Sequence, residues 1–243
     1  MRIFNLCICI FFLASPSFAQ FGDLTKKLGD KVDDMLDPKG GSNMPIPSIY
    51  EFDYEYVMNI TDKNGTTSYT YYINSKDNVI AMKNVDKDEI TIMLDDHERK
   101  KSMLYMEGNG NKGRTKMPYL DTRKIAEMIS NKQENKSTII ATGNKKTIAG
   151  YECTEYKTED KKNNGLIFLN NELEINELLI FAMQNSPMAG VAQSAMGSKP
   201  GLIMELQFQN KKKPEKNKLT FECVRLEKTD YKIFNDQYYV TGQ

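Results

Sequence analysis

The chain has no tryptophan, one histidine and no excess of either charge, with 33 Lys and Arg against 33 Asp and Glu in 243 residues. Each shortage removes a class of function. Sequence-independent nucleic-acid binding needs many basic side chains to neutralise phosphates, and a balanced chain of pI near 6.6 lacks that field. With His97 as the only imidazole and no Gly-x-Ser-x-Gly sequence to present a nucleophile, Ser-His-Asp and Cys-His hydrolysis are not expected. His97 itself lies in Asp95-Asp96-His97-Glu98-Arg99. Consecutive residues on one loop point in different directions, so the run reads as a turn rather than a metal site. Long apolar runs are also missing: the longest, Ile3 to Ala14, falls short of the ~20 residues that span a bilayer.

Glycine is sparse, and where it clusters the setting is wrong for phosphate. Gly108-Asn109-Gly110-Asn111-Lys112-Gly113 matches the dinucleotide pattern literally, but Arg114 to Tyr119 contains Pro118 and no helical periodicity. Without a helix N-terminus to hold a pyrophosphate, the segment reads as a hairpin loop. Asp62, Asn64 and Gly65 suggest a calcium loop, but Ile73 stands where a bidentate carboxylate is required. No cofactor or metal is expected, and the acidic stripe Glu51, Asp53 and Glu55 reads as a solvated strand face. A carboxylate-based enzyme is the less favoured alternative to a binding protein.

What is present begins with an address. Arg2, the apolar run from Ile3 and the small residues of Ser17-Phe18-Ala19 form the pattern of a secretory signal peptide over residues 1–19. Gln20 follows in place of a lipoprotein cysteine, so a free periplasmic or secreted protein is expected. Cys7 and Cys9 leave with the leader, and Cys153 and Cys223 remain. Two thiols in an oxidising compartment usually pair, and closing a loop of about 70 residues would stabilise by ~4 kcal/mol. Two separately buried thiols are the alternative.

Residues 20–47 read as an amphipathic helix and linker, with Leu24, Leu28, Val32, Met35 and Leu36 at helical spacing before a Pro- and Gly-rich stretch from Asp37 to Pro47. Residues 48–243 read as one β-rich domain. Tyr50, Phe52, Tyr54, Tyr56 and Met58 alternate with Glu51, Asp53, Glu55 and Val57, and Thr67 to Ile73 returns after Asn64-Gly65. Further runs are expected at 78–82, 89–94, 102–106, 137–142, 151–159, 166–169, 202–209 and 218–228. Two helices are expected to interrupt them, at about 121–131 and from a capping pattern at Asn171 and Glu174 through Met183. The expected fold class is α+β: a curved antiparallel sheet, a half-barrel, with helices covering its concave face.

Thr147-Ile148-Ala149-Gly150-Tyr151-Glu152-Cys153-Thr154-Glu155-Tyr156 resembles the central signature of a family of secreted, mainly Bacteroidetes proteins, domain of unknown function 4412. Pro200-Gly201-Leu202-Ile203 is similar to the core of a neighbouring family named for a Gly-Leu-Pro-Gly-Leu-Ile motif, with Lys199 where that motif has Leu. The resemblance extends over about Ile49 to Lys232. It implies distant likeness to the periplasmic lipoprotein carriers, whose half-barrel holds acyl chains beneath helices, and it transfers no functional residue.

The binding expectation rests on apolar and amphipathic side chains. Phe52, Tyr54, Tyr56, Tyr69 and Tyr71 from the first strands, with Leu178, Phe181 and Met183 from the second helix, are the candidate lining of a pocket for a lipid or other apolar ligand. The alternative is that they fill the core, leaving an envelope interaction or scaffolding protein that docks a protein partner through its N-terminal helix or an exposed strand edge.

Overall fold

The computed structural model describes residues 36–37, 43–62, 65–117, 119–120, 138–159, 163–173, 201–212, 214 and 218–241. Alternating apolar side chains and two-residue turns dictate its architecture. Two strands run before the first meander, β1 (Leu36–Asp37) and β2 (Ile49–Glu51). The meander itself is β3 (Tyr54–Asp62), β4 (Gly65–Asn74), β5 (Val79–Asp86), β6 (Glu89–Asp96), β7 (Lys101–Gly108) and β8 (Asn111–Met117). After β9 (Tyr119–Leu120) a second meander follows: β10 (Thr138–Ile148), β11 (Tyr151–Glu159), β12 (Asn163–Asn170), β13 (Leu202–Asn210) and β14 (Lys218–Lys228). The described chain closes with β15 (Lys232–Phe234), a 3-10 turn at Asn235–Gln237 and β16 (Tyr239–Val240).

Twelve of these strands form one sheet, ordered β10-β11-β12-β13-β14-β3-β4-β5-β6-β7-β8-β16. Every pairing in it is antiparallel except β16 on β8. The last strand of the second meander therefore lies beside the first strand of the first. Register shifts at Ala141/Lys145, Phe168/Leu169 and Cys223/Arg225 add local twist on the second meander's side. The hairpin turns obey local chemistry. Asn109-Gly110 and Ala149-Gly150 both adopt positive φ at their two central residues, as the twist of a two-residue hairpin demands. The Ile-Ala-Gly-Tyr signature is thus a hairpin turn, anchored by buried Ile148 and Cys153.

The expected strands are present, but the α+β expectation is corrected. Among the described residues the fold is a large curved antiparallel sheet, and no helix covers a concave face. The helices expected at 24–36, 121–131 and 171–183 fall outside the described residues, apart from two short pieces. Leu36 begins β1, and Asn171–Leu173 is bent chain. The side chain that satisfies backbone donors there is Asn170 rather than Asn171, since its Oδ1 accepts the N–H of Glu172 at 3.1 Å and of Leu173 at 3.0 Å.

Burial comes instead from the sheet using both faces. One cluster packs Tyr56, Met58, Tyr71, Ile73 and Ile80 against Ile167, Leu206 and Phe221. On the opposite face of β4 and β5, Tyr72, Val79 and Ala81 join Ile92, Leu94, Met103 and Tyr105. The cover on that face is the two-stranded ribbon of β2 and β15, which contributes Tyr50, Phe52 and Ile233. A β-ribbon thus shields apolar surface there, as a helix does in other sheet folds.

The ribbon is latched by polar contacts. Asn235, 5% exposed, accepts hydrogen bonds at Oδ1 from the Tyr105 hydroxyl (2.7 Å) and Arg114 Nη1 (3.1 Å), and its Nδ2 donates to the Pro47 carbonyl at 2.7 Å. Beside it the Tyr50 hydroxyl donates to buried Asp96 at 3.0 Å, and Arg99 pairs with the same carboxylate oxygen at 3.0 Å. Burial, then the neighbouring Asp96 charge, raises the Tyr50 pKa well above its usual value.

Candidate functional site

The face that holds Tyr56 and Tyr71 is the inner one of the curved sheet. A Tyr56 side chain standing off β3 donates to the Ile203 carbonyl of β13, two strands away, at 2.8 Å. That contact requires β13 to bend toward the tyrosine. Cross-strand register aligns the face: Tyr56 opposes Tyr71, which opposes Met82, and Met58 opposes Tyr69. On the other side of β3, Ile167, Leu206, Phe221 and Ile60 stand in one row.

Burial grades along this face. Tyr56, Met58 and Tyr71 are at most 1% exposed, as are Ile167, Leu206 and Phe221. Toward the end where the β3–β4, β11–β12 and β13–β14 hairpins turn, the same alternation continues into half-buried side chains. Ile60, Tyr69, Phe208 and Leu219 form an apolar band, with Met82 at its flank. Phe208 and Leu219 are direct cross-strand partners. Gly165 lies under Phe208, and a Cβ there would sit 2.6 Å from the Gln207 carbonyl oxygen. The strands approach so closely at this point that only glycine fits.

The structure brings Tyr54, Tyr56, Tyr69 and Tyr71 of the expected lining onto one face. Tyr56 and Tyr71 are closed off within it. Phe52 belongs to the opposite cluster, because the chain leaves β2 and turns a corner at Phe52–Asp53 before β3 begins. Leu178, Phe181 and Met183 lie outside the described residues. Ile60, Phe208 and Leu219 were not anticipated as lining. They continue the alternation of Met58, Leu206 and Phe221, and extending that pattern by two residues finds them.

Cys153 and Cys223 are both buried, as free thiols in this structure. They lie on β11 and β14 with two strands between them. The curvature of the sheet brings both into the same inner cluster, near enough that the Cys153 charge adds to the upward shift at Cys223. Burial pushes the thiols up to about 11 and about 12 respectively, so both are unreactive thiols at neutral pH.

Two polar groups at the end of β6 and in the turn after it lie near the first meander's other end. His97 Nδ1 and the Tyr119 hydroxyl are hydrogen-bonded at 3.0 Å, which makes His97 part of a packed turn. Ser102 donates to Asp95, whose carboxyl is pushed up to about 6 by burial despite that hydrogen bond. A raised folded-state pKa means that the neutral acid is favoured by folding. The stability it contributes is complete below the unfolded value near ~3.9 and is lost as pH rises through 6. Asp95→Asn is therefore expected to gain about 1–2 kcal/mol over the parent at pH 7.5 and nothing at pH 4. Urea denaturation at the two pH values measures the difference, and an equal effect at both contradicts it. Among the described residues no group of three or more His, Cys, Asp or Glu is placed to hold a metal ion.

The sequence profile of one family, "Domain of unknown function (DUF4412)", matches residues 52–230. The chain belongs to that family. The match covers β3 through β14, so the DUF4412 domain comprises both meanders and the seam between them. No curated protein matches the chain.

Among solved structures, the Pseudomonas aeruginosa MucA/MucB complex is similar at 7% identity and a TM-score of 0.43, over 76% of this chain and 54% of the other. A structure of PNGF-II is similar at 12% identity and a TM-score of 0.33, over 80% of this chain and 31% of the other. An outer membrane lipoprotein-sorting protein domain from Vibrio parahaemolyticus, described as putative, is similar at 7% identity and a TM-score of 0.21, over 84% and 91%. The chain spans about half the length of the MucA/MucB chain it matches. No helix among the described residues is long and apolar enough to cross a membrane.

Proposed function

We propose that this DUF4412 protein is a non-enzymatic binder of a lipid or other apolar ligand, exported by the leader-like residues 1–19 to the periplasm or beyond. The observation that carries the reading is the half-buried band of Ile60, Tyr69, Phe208 and Leu219 at the open end of an otherwise closed inner face. Apolar side chains that remain partly wet on a concave surface gain about 25 cal/mol for each Å² that a ligand removes from water. Tyr69 adds a rigid ring with a polar tip, suited to orienting what binds.

The test is titration with N-phenyl-1-naphthylamine, a neutral probe that fluoresces in apolar surroundings. The purified chain is expected to give saturable enhancement, and Ile60→Asn with Leu219→Asn to weaken it at least fivefold while the fold is retained by circular dichroism. Non-saturable enhancement, or identical titrations for parent and variant, refutes the site.

A second reading, docking of an envelope protein, is favoured by β10. Among the described residues this edge strand has no partner on its outer side, and it carries Ile140 at 64% exposure. An edge of this kind accepts an added strand from another chain.

A further inference from the structure

The apolar band does not stop at Tyr69, and we propose that its continuation, the thioethers of Met82, Met93 and Met106, makes the site indifferent to chain shape, so that the ligand is a class of long hydrocarbon chains, straight, kinked and branched alike. The inference rests on the binding reading above and adds what decides between ligands. Register places the three methionines. Met82 stands opposite Tyr71 on one side and Met93 on the other, Met93 stands opposite Leu104, and Met106 opposes Thr91, two residues along β6 from Met93. All three therefore share the inner face with Tyr56 and Tyr71, on three consecutive strands. Each is half-buried, like the band, and Met82 packs against the inner cluster.

Cross-strand neighbours of this kind are about 5 Å apart at Cβ, and diagonal ones are still within reach of a long side chain. The surface they make differs from the rest of the band. Ile60 is stiff at its branched Cβ and Phe208 is a rigid ring leaning over Gly165, so that side has one shape. Methionine is unbranched, with three rotatable bonds and a polarisable sulfur, and it repacks around whatever it touches. No cation interrupts the surface. Within the strands β3 to β8 every Lys and Arg, that is Lys83, Lys101, Lys112, Arg114 and Lys116, alternates to the opposite face. The inner-face acids of those strands, Asp62, Asp86, Glu89 and Asp95, stand at or beside strand ends. A chain that follows the band across β4 thus meets an apolar side chain on every strand as far as β7, and a bend or a methyl branch in it is met by side chains that give way.

Three neutral alcohols with the same sixteen-carbon main chain read chain shape alone: hexadecanol, cis-9-hexadecenol and the tetramethyl-branched dihydrophytol. Each is titrated, below its solubility limit, against N-phenyl-1-naphthylamine bound to the full chain. The parent is expected to bind all three within about threefold of one another. Met82→Ile with Met93→Ile and Met106→Ile replaces the thioethers by stiff side chains that a strand accepts, and with the fold retained by circular dichroism it is expected to spread the three affinities about tenfold or more. Met93→Ile alone is the mildest change and carries the test if the triple variant does not fold; its expected spread is about fivefold. A parent that separates the alcohols by more than about threefold, or variants as indiscriminate as the parent, overturns the role of the methionines while the binding reading stands. If no alcohol displaces the probe, the binding reading fails and the role of the methionines fails with it.

Discussion

Asn235→Ala is expected to cost about 3–5 kcal/mol of folding stability, more than the loss of one average hydrogen bond. The side chain is a hub rather than a pair partner: it accepts from Tyr105 and Arg114 and donates to Pro47. Tyr105 is 0% exposed, so its hydroxyl loses its acceptor where water does not replace it. Arg114 already has a buried Nε without a hydrogen-bond partner, and the substitution strips an acceptor from the same guanidinium. The effect should be local in the native state as well, with amide exchange quickening first in β2 and β15. Asn235→Asp is expected to fall between parent and alanine, since it keeps an acceptor for Tyr105 and Arg114 but opposes the Pro47 carbonyl with a carboxylate. Equilibrium denaturation of the three proteins gives the order. If alanine is no worse than aspartate, the side chain is not the latch described.

Phe221→Ala is expected to cost about 3–5 kcal/mol through a different cause, a cavity where the two meanders join. Phe221 is 1% exposed and stands between Leu206 of β13 and Ile60 of β3. Three residues along the same strand, Val224 is 47% exposed, and Val224→Ala should change stability by less than about 0.5 kcal/mol. The contrast within one strand makes the denaturation experiment decisive: comparable losses at the two positions contradict the assignment of the inner face.

The strands were legible because most of them carry a one-sided apolar alternation, and the hairpin at Asn109-Gly110 because Asn-Gly marks positive φ. What stayed hidden has long-range causes. Tyr50, Phe52, Tyr54 and Tyr56 alternate without interruption, yet a corner divides them between two faces. Asp53 makes that corner by accepting from the Ser75 N–H at 3.0 Å and the Ser75 hydroxyl at 2.6 Å, while its carbonyl receives the Thr229 N–H at 3.1 Å. None of those partners is near it in sequence. The strand β8 was hidden for the opposite reason: Asn111 to Met117 has almost no apolar residue, and its register on β7 comes from the Asn109-Gly110 turn. Its single inward-facing arginine is read only with Asn235 in view. For the candidate site, the tyrosines were visible, whereas their division into sealed and half-open positions depends on curvature that a linear pattern does not express.

The placement of β14 against β3 has a kinetic consequence. All the other pairings within each meander join neighbours along the chain, at a small loop-closure cost, whereas this seam brings together residues such as Phe221 and Ile60 across most of the domain. Each meander can begin to order from its own hairpins, and the protein becomes a single cooperative unit only when the seam zips. A ribosome must release β14, almost the last strand made, before that happens, so the edges of β3 and β13 wait exposed during synthesis and are the surfaces on which a nascent chain would mispair.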